Sequence, residues 1–271
     1  MIFRGKFRCN YRKLHDPDAA WGYDSYHDRF VYGHSIHLLS DSKNDLPVLI
    51  KLTPANRHDS VITPLLLFSA KNIHQYSFTN AAFDTASDNY PTYRLATDYW
   101  KINLFIPLRE TTKSSQIKLP RSIIKFTDKG TPVCLNNMEM YCWGFCKDRS
   151  RIKWRCLLVA LKSTPDLKSC PHHLQCSTSD YGRVVFTKPE WDYRLFTPIP
   201  RETPLWEKYY DERSGCERLN KRLTKDYKLD EIKTTGTKRW FFRATIASIC
   251  IHIDAWWTQL NREKSNTQLK E

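Results

Sequence analysis

The order of the apolar runs in the first 109 residues is the feature that most constrains the fold. Residues 30–39 and 46–52 are rich in β-forming side chains, and the polar stretch between them predicts a β-hairpin. Helix-start residues then alternate with two further apolar runs, at residues 76–84 and 102–108. An order of strand, strand, helix, strand, helix and strand is typical of an α/β layer. We therefore predict an α/β fold.

The remainder of the chain has a different pattern. From about residue 110 to 201, short β-like runs alternate with proline, cysteine and polar clusters, which predicts a β-rich subdomain. A helical pattern returns at Pro204 and continues to about Tyr227, with Gly215 as a weak point, and a last helix is predicted from about Lys238 to Lys264. The predicted parts are a first core segment (residues 1–109), a β-rich insertion (110–201) and a helical segment that completes the core (202–264).

The charge balance points to a polyanionic partner. The 271 residues include 43 Lys and Arg against 29 Asp and Glu, a formal net charge of +14, and the 41% hydrophobic content excludes disorder throughout. No apolar run approaches the roughly 18 residues of a membrane-spanning helix, and the basic start lacks the apolar segment of a secretory signal. We expect a cytoplasmic protein without a membrane span, with nucleic acid as the first candidate partner and an acidic membrane surface as the second.

The positive charge is concentrated in one stretch. Ten Lys or Arg residues occur from Arg213 to Arg243, with Trp240 and Phe241 among them. Basic side chains neutralise phosphates and aromatic rings stack on unpaired bases, so the stretch favours nucleic-acid binding. A solvated helix face with a few core aromatics is the alternative interpretation.

Two carboxylates stand out by position. Asp84 comes where the apolar run of residues 76–84 ends, and ligands and catalytic groups gather at the C-terminal ends of strands in α/β sheets. Glu217 lies in the penultimate predicted helix, among several cations. An ion-paired surface group is the alternative interpretation of Glu217.

These residues carry a family resemblance. The pattern Tyr210-x2-Arg213-x3-Glu217 resembles the Tyr-Arg-Glu-Lys signature of bacterial DDE transposases of the insertion-sequence 4 family. Further blocks over nearly the whole chain are similar to the same family, and the linked series is more specific than any one block. They are residues 16–25 (DPDAAWGYDS), 31–41 (VYGHSIHLLSD), 46–60 (LPVLIKLTPANRHDS), 81–95 (AAFDTASDNYPTYRL) and 221–231 (KRLTKDYKLDE).

The resemblance implies a fold and a chemistry. The family has an RNase H-like fold with a β-rich insertion between its second catalytic Asp and its Glu, and its carboxylates hold two Mg²⁺ or Mn²⁺ ions for phosphodiester cleavage and strand transfer. Transferred to this chain, Asp84 and Glu217 are catalytic metal ligands, and Tyr210 and Arg213 contact the DNA backbone near the cleaved end. The family also implies a homodimer on paired DNA ends, in a bacterial cytoplasm at the nucleoid. Further DNA-contact candidates in the basic stretch are Arg218, Lys221, Arg222 and Lys225.

Two positions depart from the family pattern. The signature lysine belongs at position 224, where this chain has Thr224; Lys225 is adjacent, but one residue along an α-helix rotates a side chain by about 100°. The family's first catalytic Asp lies upstream of the block at residues 16–25, and residues 1–15 contain no acidic residue. We expect an N-terminally truncated chain that alone neither cleaves nor joins DNA. A non-catalytic, transposase-derived DNA-binding protein is the alternative function, and an RNA-processing nuclease of the same fold is a third.

The cysteines suggest a second kind of metal site. The chain has nine cysteines and no secretion signal, which favours reduced thiols or a metal site over disulfides. The local spacings Cys142-x3-Cys146 and Cys170-x5-Cys176 suit ligand pairs for Zn²⁺, which takes four thiolate or imidazole donors. A structural zinc ion and buried free cysteines are the two open interpretations. The candidate ligands in the insertion are Cys134, Cys142, Cys146, Cys156, Cys170 and Cys176, with His172 and His173.

Overall fold

Two compact units make up the chain in the computed structural model, which describes residues 2–4, 16–24, 28–109, 117–160, 170–177, 179–231 and 234–268. Unit 1 comprises Met1–Tyr76 and Glu212–Glu271, and unit 2 comprises Ser77–Asp211. Both contain strands and helices, so the predicted α/β class is confirmed. The units divide at other residues than the predicted segments 1–109, 110–201 and 202–264, and that division into three stays a prediction. Within the described ranges, no helix is long and apolar enough to cross a membrane.

The strands and helices follow one another in an alternating order. In unit 1, the chain begins with β1 (Ile2–Arg4), β2 (Ala20–Asp24), β3 (Arg29–Asp41), β4 (Leu46–Pro54) and α1 (Asp59–Phe68). Unit 2 contains β5 (Asn80–Ala82), α2 (Tyr90–Leu95), β6 (Asn103–Phe105), β7 (Ile123–Phe126), β8 (Pro132–Cys134), β9 (Tyr141–Cys146), β10 (Arg151–Arg155), α3 (Leu157–Ala160), α4 (His173–Cys176), β11 (Val184–Thr187) and α5 (Pro204–Asp211). The chain then returns to unit 1 with α6 (Ser214–Lys221) and α7 (Thr237–Gln268).

One long strand organises the sheet of unit 1. β3 pairs antiparallel with β1, β2 and β4, and most of its residues from Val31 to Leu38 are buried. The β3–β4 hairpin confirms the prediction made from the two β-rich runs. The buried stretch of β3 includes the polar side chains His34, Ser35 and His37, and the two histidines have hydrogen-bond partners, His34 in Asp16 and His37 in Thr53.

The helices of unit 1 pack on this sheet through a regular apolar face. Ala244, Ala247 and Ile251 recur at helical spacing along α7 and are buried. The last helix was predicted to span residues 238–264, and α7 confirms it with slightly wider bounds. Full burial of each large aliphatic side chain stabilises the unit by about 1.5–3 kcal/mol. The shared core consists of Ile36, Leu38, Leu219, Leu223, Leu229, Ala244, Ala247 and Ile251.

Unit 2 contains a parallel strand pair. β5 and β6 pair in parallel, and α2 with its π-helical extension (Ala96–Trp100) forms the crossover that parallel strands need. Asn89 caps α2, because its side chain accepts a hydrogen bond from the Thr92 amide at 2.9 Å. The buried Tyr93 donates a hydrogen bond from its hydroxyl to the carbonyl oxygen of Ile106 at 3.0 Å, which ties the helix to the chain after β6.

The predicted β-rich stretch forms small antiparallel sheets in unit 2. β9, β10 and β11 make a three-stranded sheet, and β7 pairs with β8. Their core is small, and the buried Trp154 within it donates from Nε1 to Thr187 Oγ1 at 2.9 Å. This core consists of Ile123, Met140, Ile152, Trp154, Val185 and Phe196.

The helix predicted from Pro204 to Tyr227 is interrupted. α5 ends at Asp211, α6 begins at Ser214, and α6 continues into a π-helical segment, Arg222–Asp226. Gly215 lies inside α6 rather than at the break. A Cβ on Gly215 would lie 2.3 Å from Asp45 Oδ1 and 3.2 Å from the Ser42 carbonyl oxygen. Glycine is therefore needed because α6 approaches the β3–β4 turn closely, not because the helix bends there.

Candidate functional site

Asp84 lies where the parallel pair of unit 2 ends. It follows β5 by two residues and precedes a 3₁₀ turn, Thr85–Ser87. Ser87 Oγ donates to Asp84 Oδ1 at 3.4 Å, which is a long contact for an O–H···O bond. Among the described side chains, no Lys, Arg or His forms an ion pair with Asp84. The carboxylate of Asp84 is half-buried at the strand end, and its role as a metal ligand stays a prediction.

Asp88, four residues later, differs from Asp84 because its carboxylate is ion-paired and fully buried. Its side chain is fully buried, and Arg194 donates from Nε to Oδ1 at 3.0 Å and from Nη2 to Oδ2 at 2.7 Å. The backbone amide of Arg109 donates to the same Oδ2 at 3.0 Å. Asp88 is thus neutralised and holds two loops of unit 2 together. Of the two carboxylates in this block, Asp84 is the one available to a ligand.

Glu217 is presented on α6 in unit 1 and is half-exposed. Arg213 Nη1 lies 2.7 Å from Glu217 Oε1, an ion pair between residues four apart. The side chains are 25% exposed for Arg213 and 49% exposed for Glu217, so solvent screens the pair. Glu217 is therefore ion-paired in this structure, as the alternative interpretation of the sequence had it. Its partner, Arg213, is another residue of the signature.

Two predicted DNA-contact residues are engaged within unit 1. Arg218 donates from Nε and Nη2 to the two carboxylate oxygens of Asp45, at 2.6 and 2.9 Å, and this bonding raises the pKa of Arg218. Arg222 Nη2 lies 3.3 Å from Asp254 Oδ2, which also accepts from the Tyr227 hydroxyl at 2.8 Å. Burial and Asp254 raise the pKa of Tyr227 to about 12. Arg218 and Arg222 thus attach α6 to the rest of unit 1, and DNA contact by them stays a prediction.

Lys221 and Lys225 are placed differently. Both are exposed, and neither forms an ion pair with any residue that the structure describes. Thr224, at the position of the signature lysine, donates from Oγ1 to the carbonyl oxygen of Lys221 at 3.0 Å. These two lysines are the cations of the predicted set that α6 leaves accessible to a phosphate.

The π-helical segment changes the register of Lys225. A π-helix turns by roughly 82° per residue, against about 100° in an α-helix. Because α6 passes into the π-helical residues Arg222–Asp226, the rotation from Glu217 to Lys225 is about two full turns. Lys225 therefore lies on the same face of the helix as Glu217. The expectation that Lys225 is no direct substitute for a lysine at position 224 stays a prediction, because the two positions remain one residue apart on the π-helical segment.

Tyr210, the first residue of the signature, belongs to unit 2. Its ring stacks on Trp206, with the centroids 5.0 Å apart and the planes at 18°. Tyr210 and Trp206 line one end of a cleft of about 1460 Å³ within unit 2, and Lys125 and Lys129 also line this cleft. The lining of the cleft carries charges of both signs, five Lys or Arg against six Asp or Glu, so the two rings offer a stacking surface without an excess of positive charge around them.

A buried carboxylate that the motif search did not single out organises the start of α7. Asp16 Oδ2 accepts from the Gly236 amide at 2.8 Å and from His34 Nε2 at 3.1 Å, and Oδ1 accepts from the Asp18 amide at 3.0 Å. Burial alone would raise the pKa of Asp16, but these hydrogen bonds outweigh it and leave the pKa below its ordinary value. The Asp-Pro step that opens the block at residues 16–25 is the turn signal that could have identified Asp16.

The described residues contain no group of three or more His, Cys, Asp or Glu side chains placed to hold a metal ion as they stand. No protein-family model, curated protein or solved structure matches this chain.

Proposed function

We propose that this chain is a DDE-type transposase polypeptide that acts in DNA transposition at the ends of a mobile element. The observation that carries the proposal is the Asp84 carboxylate, which lies at the end of a strand in a parallel pair without a cationic partner among the described residues. A carboxylate in that setting is typical of a metal ligand rather than of a structural ion pair, as the contrast with Asp88 illustrates. The series of blocks shared with the family supports the same assignment.

The topology is compatible with an RNase H-like core. The antiparallel β3–β4 hairpin of unit 1 and the parallel β5–β6 pair of unit 2, with its helical crossover, are elements such a core uses. The strands β7–β11 fall between Asp84 and Glu217, where the family carries a β-rich insertion. The RNase H-like fold is part of the proposal.

The available donors suit a hard divalent cation. Asp84 and Glu217 offer carboxylate oxygens, which Mg²⁺ and Mn²⁺ prefer. When bound, such ions activate the attacking oxygen and stabilise the leaving oxygen of a phosphodiester. Asp84 fits this role as it stands, whereas Glu217 must first separate from Arg213.

The Arg213–Glu217 ion pair gives each partner a role on DNA binding. Glu217 would have to separate from Arg213 to hold a metal ion, and the Arg213 guanidinium would then lie beside the site, where it could donate to a phosphate oxygen. Lys225 lies on the same helix face and adds a second positive charge. Lys221, exposed on α6 of unit 1, and Tyr210 of unit 2 are the remaining DNA-contact candidates. In this proposal Glu217 is a metal ligand, and Arg213 and Lys225 are phosphate contacts.

DNA binding tests the first part of the proposal. The probes are labelled duplexes copied from the DNA that flanks the gene on each side, and duplexes of shuffled sequence with the same length and composition. We expect tighter binding to the flanking DNA, with an affinity that falls steeply as salt rises because phosphate contacts release counterions. Equal binding of flanking and shuffled duplexes would overturn the assignment to a mobile element.

Cleavage tests the second part, on the same duplexes with Mg²⁺ or Mn²⁺. If cleavage is lost in Asp84→Asn and kept in the exposed control Asp148→Asn, this chain contains the carboxylates that catalysis needs, and Asp84 is one of them. Specific binding without turnover would instead identify a non-catalytic, transposase-derived DNA-binding protein. Turnover that Asp84→Asn leaves unchanged would contradict the role of Asp84.

A further inference from the structure

Four cysteines that are dispersed in the sequence converge in unit 2. Cys134, Cys156, Cys170 and Cys176 line one small cavity of about 30 Å³. A cavity of this size has room for a single water molecule or ion. Cys142 and Cys146, which the sequence offered as a ligand pair, are not among the described residues that line it. Cys142 packs against the core around Trp154, as Cys134 also does.

The backbone fixes the four cysteines from three parts of unit 2: the end of β8, the residue after β10, and the two ends of the α4 region. Cys134 ends β8, and its amide and carbonyl bond with Met138 and Asn137 at 2.9 Å each. Cys156 directly follows β10, and its amide donates to the Arg183 carbonyl oxygen at 2.9 Å. Cys170 precedes α4, where its carbonyl accepts from the His173 amide at 3.1 Å, and Cys176 is the last residue of α4. Four separately anchored thiols around one cavity form a site rather than a stretch of adjacent residues.

The thiols influence one another electrostatically. All four are free of disulfide bonds. Burial raises the pKa of Cys156, and the neighbouring Cys134, Cys176 and Cys170 raise it further, while the Leu158 amide lowers it. Burial also raises the pKa of Cys176, against a hydrogen bond from Ser122 and the charge of Arg183. Amide, hydroxyl and guanidinium groups directed at sulfur are the surroundings that stabilise metal-bound thiolates.

The chain around these cysteines has little apolar support. Neither α3 nor α4 buries a residue, and no described residue from Cys156 to Tyr181 is buried. Described side chains that are at most partly buried gain little free energy to offset the entropy lost on ordering the segment. Small domains with insufficient cores are commonly stabilised by a structural metal instead.

We infer that Cys134, Cys156, Cys170 and Cys176 form a structural Zn²⁺ site, a feature that goes beyond the proposed function. Four thiolates suit tetrahedral Zn²⁺, with Zn–S distances of about 2.3 Å. Binding releases the thiol protons to solvent and involves no oxidation. The side chains as they stand do not form a ligand set, so zinc binding requires the cysteines to change rotamer about their Cα–Cβ bonds. The adjacent Arg183 offsets part of the negative charge of four thiolates around one Zn²⁺.

Metal content of the full chain, purified without chelators, tests the site directly. We expect one zinc ion per chain by elemental analysis, and less than about a tenth of that in each of Cys134→Ser, Cys156→Ser, Cys170→Ser and Cys176→Ser. The matched controls Cys146→Ser and Cys250→Ser keep the full content. A wild-type chain that takes up no zinc when refolded with an excess of it would overturn the inference, and so would equal loss in a control.

Cobalt substitution counts the thiolates in the wild-type chain, so it remains informative if the serine variants do not fold. We expect Co²⁺ to give the charge-transfer absorption of four thiolate ligands and the visible bands of a tetrahedral site. His172 and His173 line the same cavity, and we expect His172→Ala and His173→Ala to leave both spectra unchanged. A spectrum of two thiolates and two imidazoles would contradict the four-cysteine assignment. Because no DNA is present, the result is independent of the proposed function.

Discussion

Arg218 holds Asp45 with two hydrogen bonds, from Nε at 2.6 Å and from Nη2 at 2.9 Å. The pair connects α6 to the turn between β3 and β4, across 173 positions of sequence. Gly215, one turn earlier on α6, makes room for the Asp45 carboxylate. The helix that presents Glu217 is therefore positioned by its contacts with this turn, and a change at either contact displaces the candidate site.

Gly215→Ala tests the close approach. The added Cβ would displace the Asp45 side chain and press on the Ser42 carbonyl, so we expect the free energy of unfolding to fall by about 1–3 kcal/mol. Urea unfolding followed by circular dichroism measures the change. The control Lys221→Ala, at an exposed position of the same helix, should stay within about 0.5 kcal/mol of wild type. A Gly215→Ala chain as stable as this control would contradict the packing argument.

Asp84 and Asp88 should respond in opposite ways to loss of charge. Asp88→Asn leaves the Arg194 guanidinium without its charged partner, and we expect the free energy of unfolding to fall by about 3 kcal/mol. Asp84→Asn removes no ion pair among the described residues, so we expect little change in stability. Its effect should be on Mn²⁺ affinity, measured by titration calorimetry. A large loss of stability in Asp84→Asn would identify Asp84 as a structural residue instead.

Lys225 should contribute to DNA binding, because the π-helical segment puts it on the face of Glu217. We expect Lys225→Ala to weaken binding of every duplex and to reduce the slope of log affinity against log salt by about one. Fluorescence anisotropy at several salt concentrations gives this slope. Lys228→Ala, an exposed lysine paired with Glu231, is the matched control and should change the slope less. Equal slopes for the two variants would exclude a specific phosphate contact at Lys225.

The predictable parts of the fold are those whose pattern is long and local. The β3–β4 hairpin follows from two extended β-rich runs, and the apolar residues between Trp240 and Ile253 predict α7, although Phe241, Ile246, Ile249 and Ile253 among them are exposed. The run at residues 76–84 predicted a longer strand than the three residues of β5, which pair with the three residues of β6. Strand length is decided by the partner, which a local pattern does not contain.

The candidate site was predictable only in part for the same reason. The position of Asp84 after an apolar run is a local signal, and its place at the end of β5 agrees with it. The attachment of Arg218 to Asp45 and the convergence of the four cysteines depend on contacts between distant segments. The π-helical register of Lys225 was also missed, because the same residues fit an α-helical pattern equally well.

Asp16 should make the stability of unit 1 depend on pH in the acid range. Its hydrogen bonds from Gly236, His34 and Asp18 lower its pKa in the folded chain below the ordinary value of 3.8. A lowered folded pKa contributes stability that is fully present above the unfolded pKa and is lost as pH falls through the folded pKa. We therefore expect the contribution to be complete at pH 7 and to decline below about pH 4.

Asp16→Asn removes this contribution, because an amide cannot accept the same set of charge-assisted hydrogen bonds. We expect the variant to lose about 1–3 kcal/mol in the free energy of unfolding at neutral pH, and the difference from wild type to shrink as pH falls below about 4. Urea unfolding at pH 7, 5 and 3 measures both effects. The exposed control Asp226→Asn should show neither. A charge contribution of Asp16 must shrink as pH falls from the unfolded pKa towards the folded pKa. A difference in the free energy of unfolding between wild type and Asp16→Asn that stays constant down to pH 3 would therefore mean that Asp16 acts through its shape and through neutral hydrogen bonds.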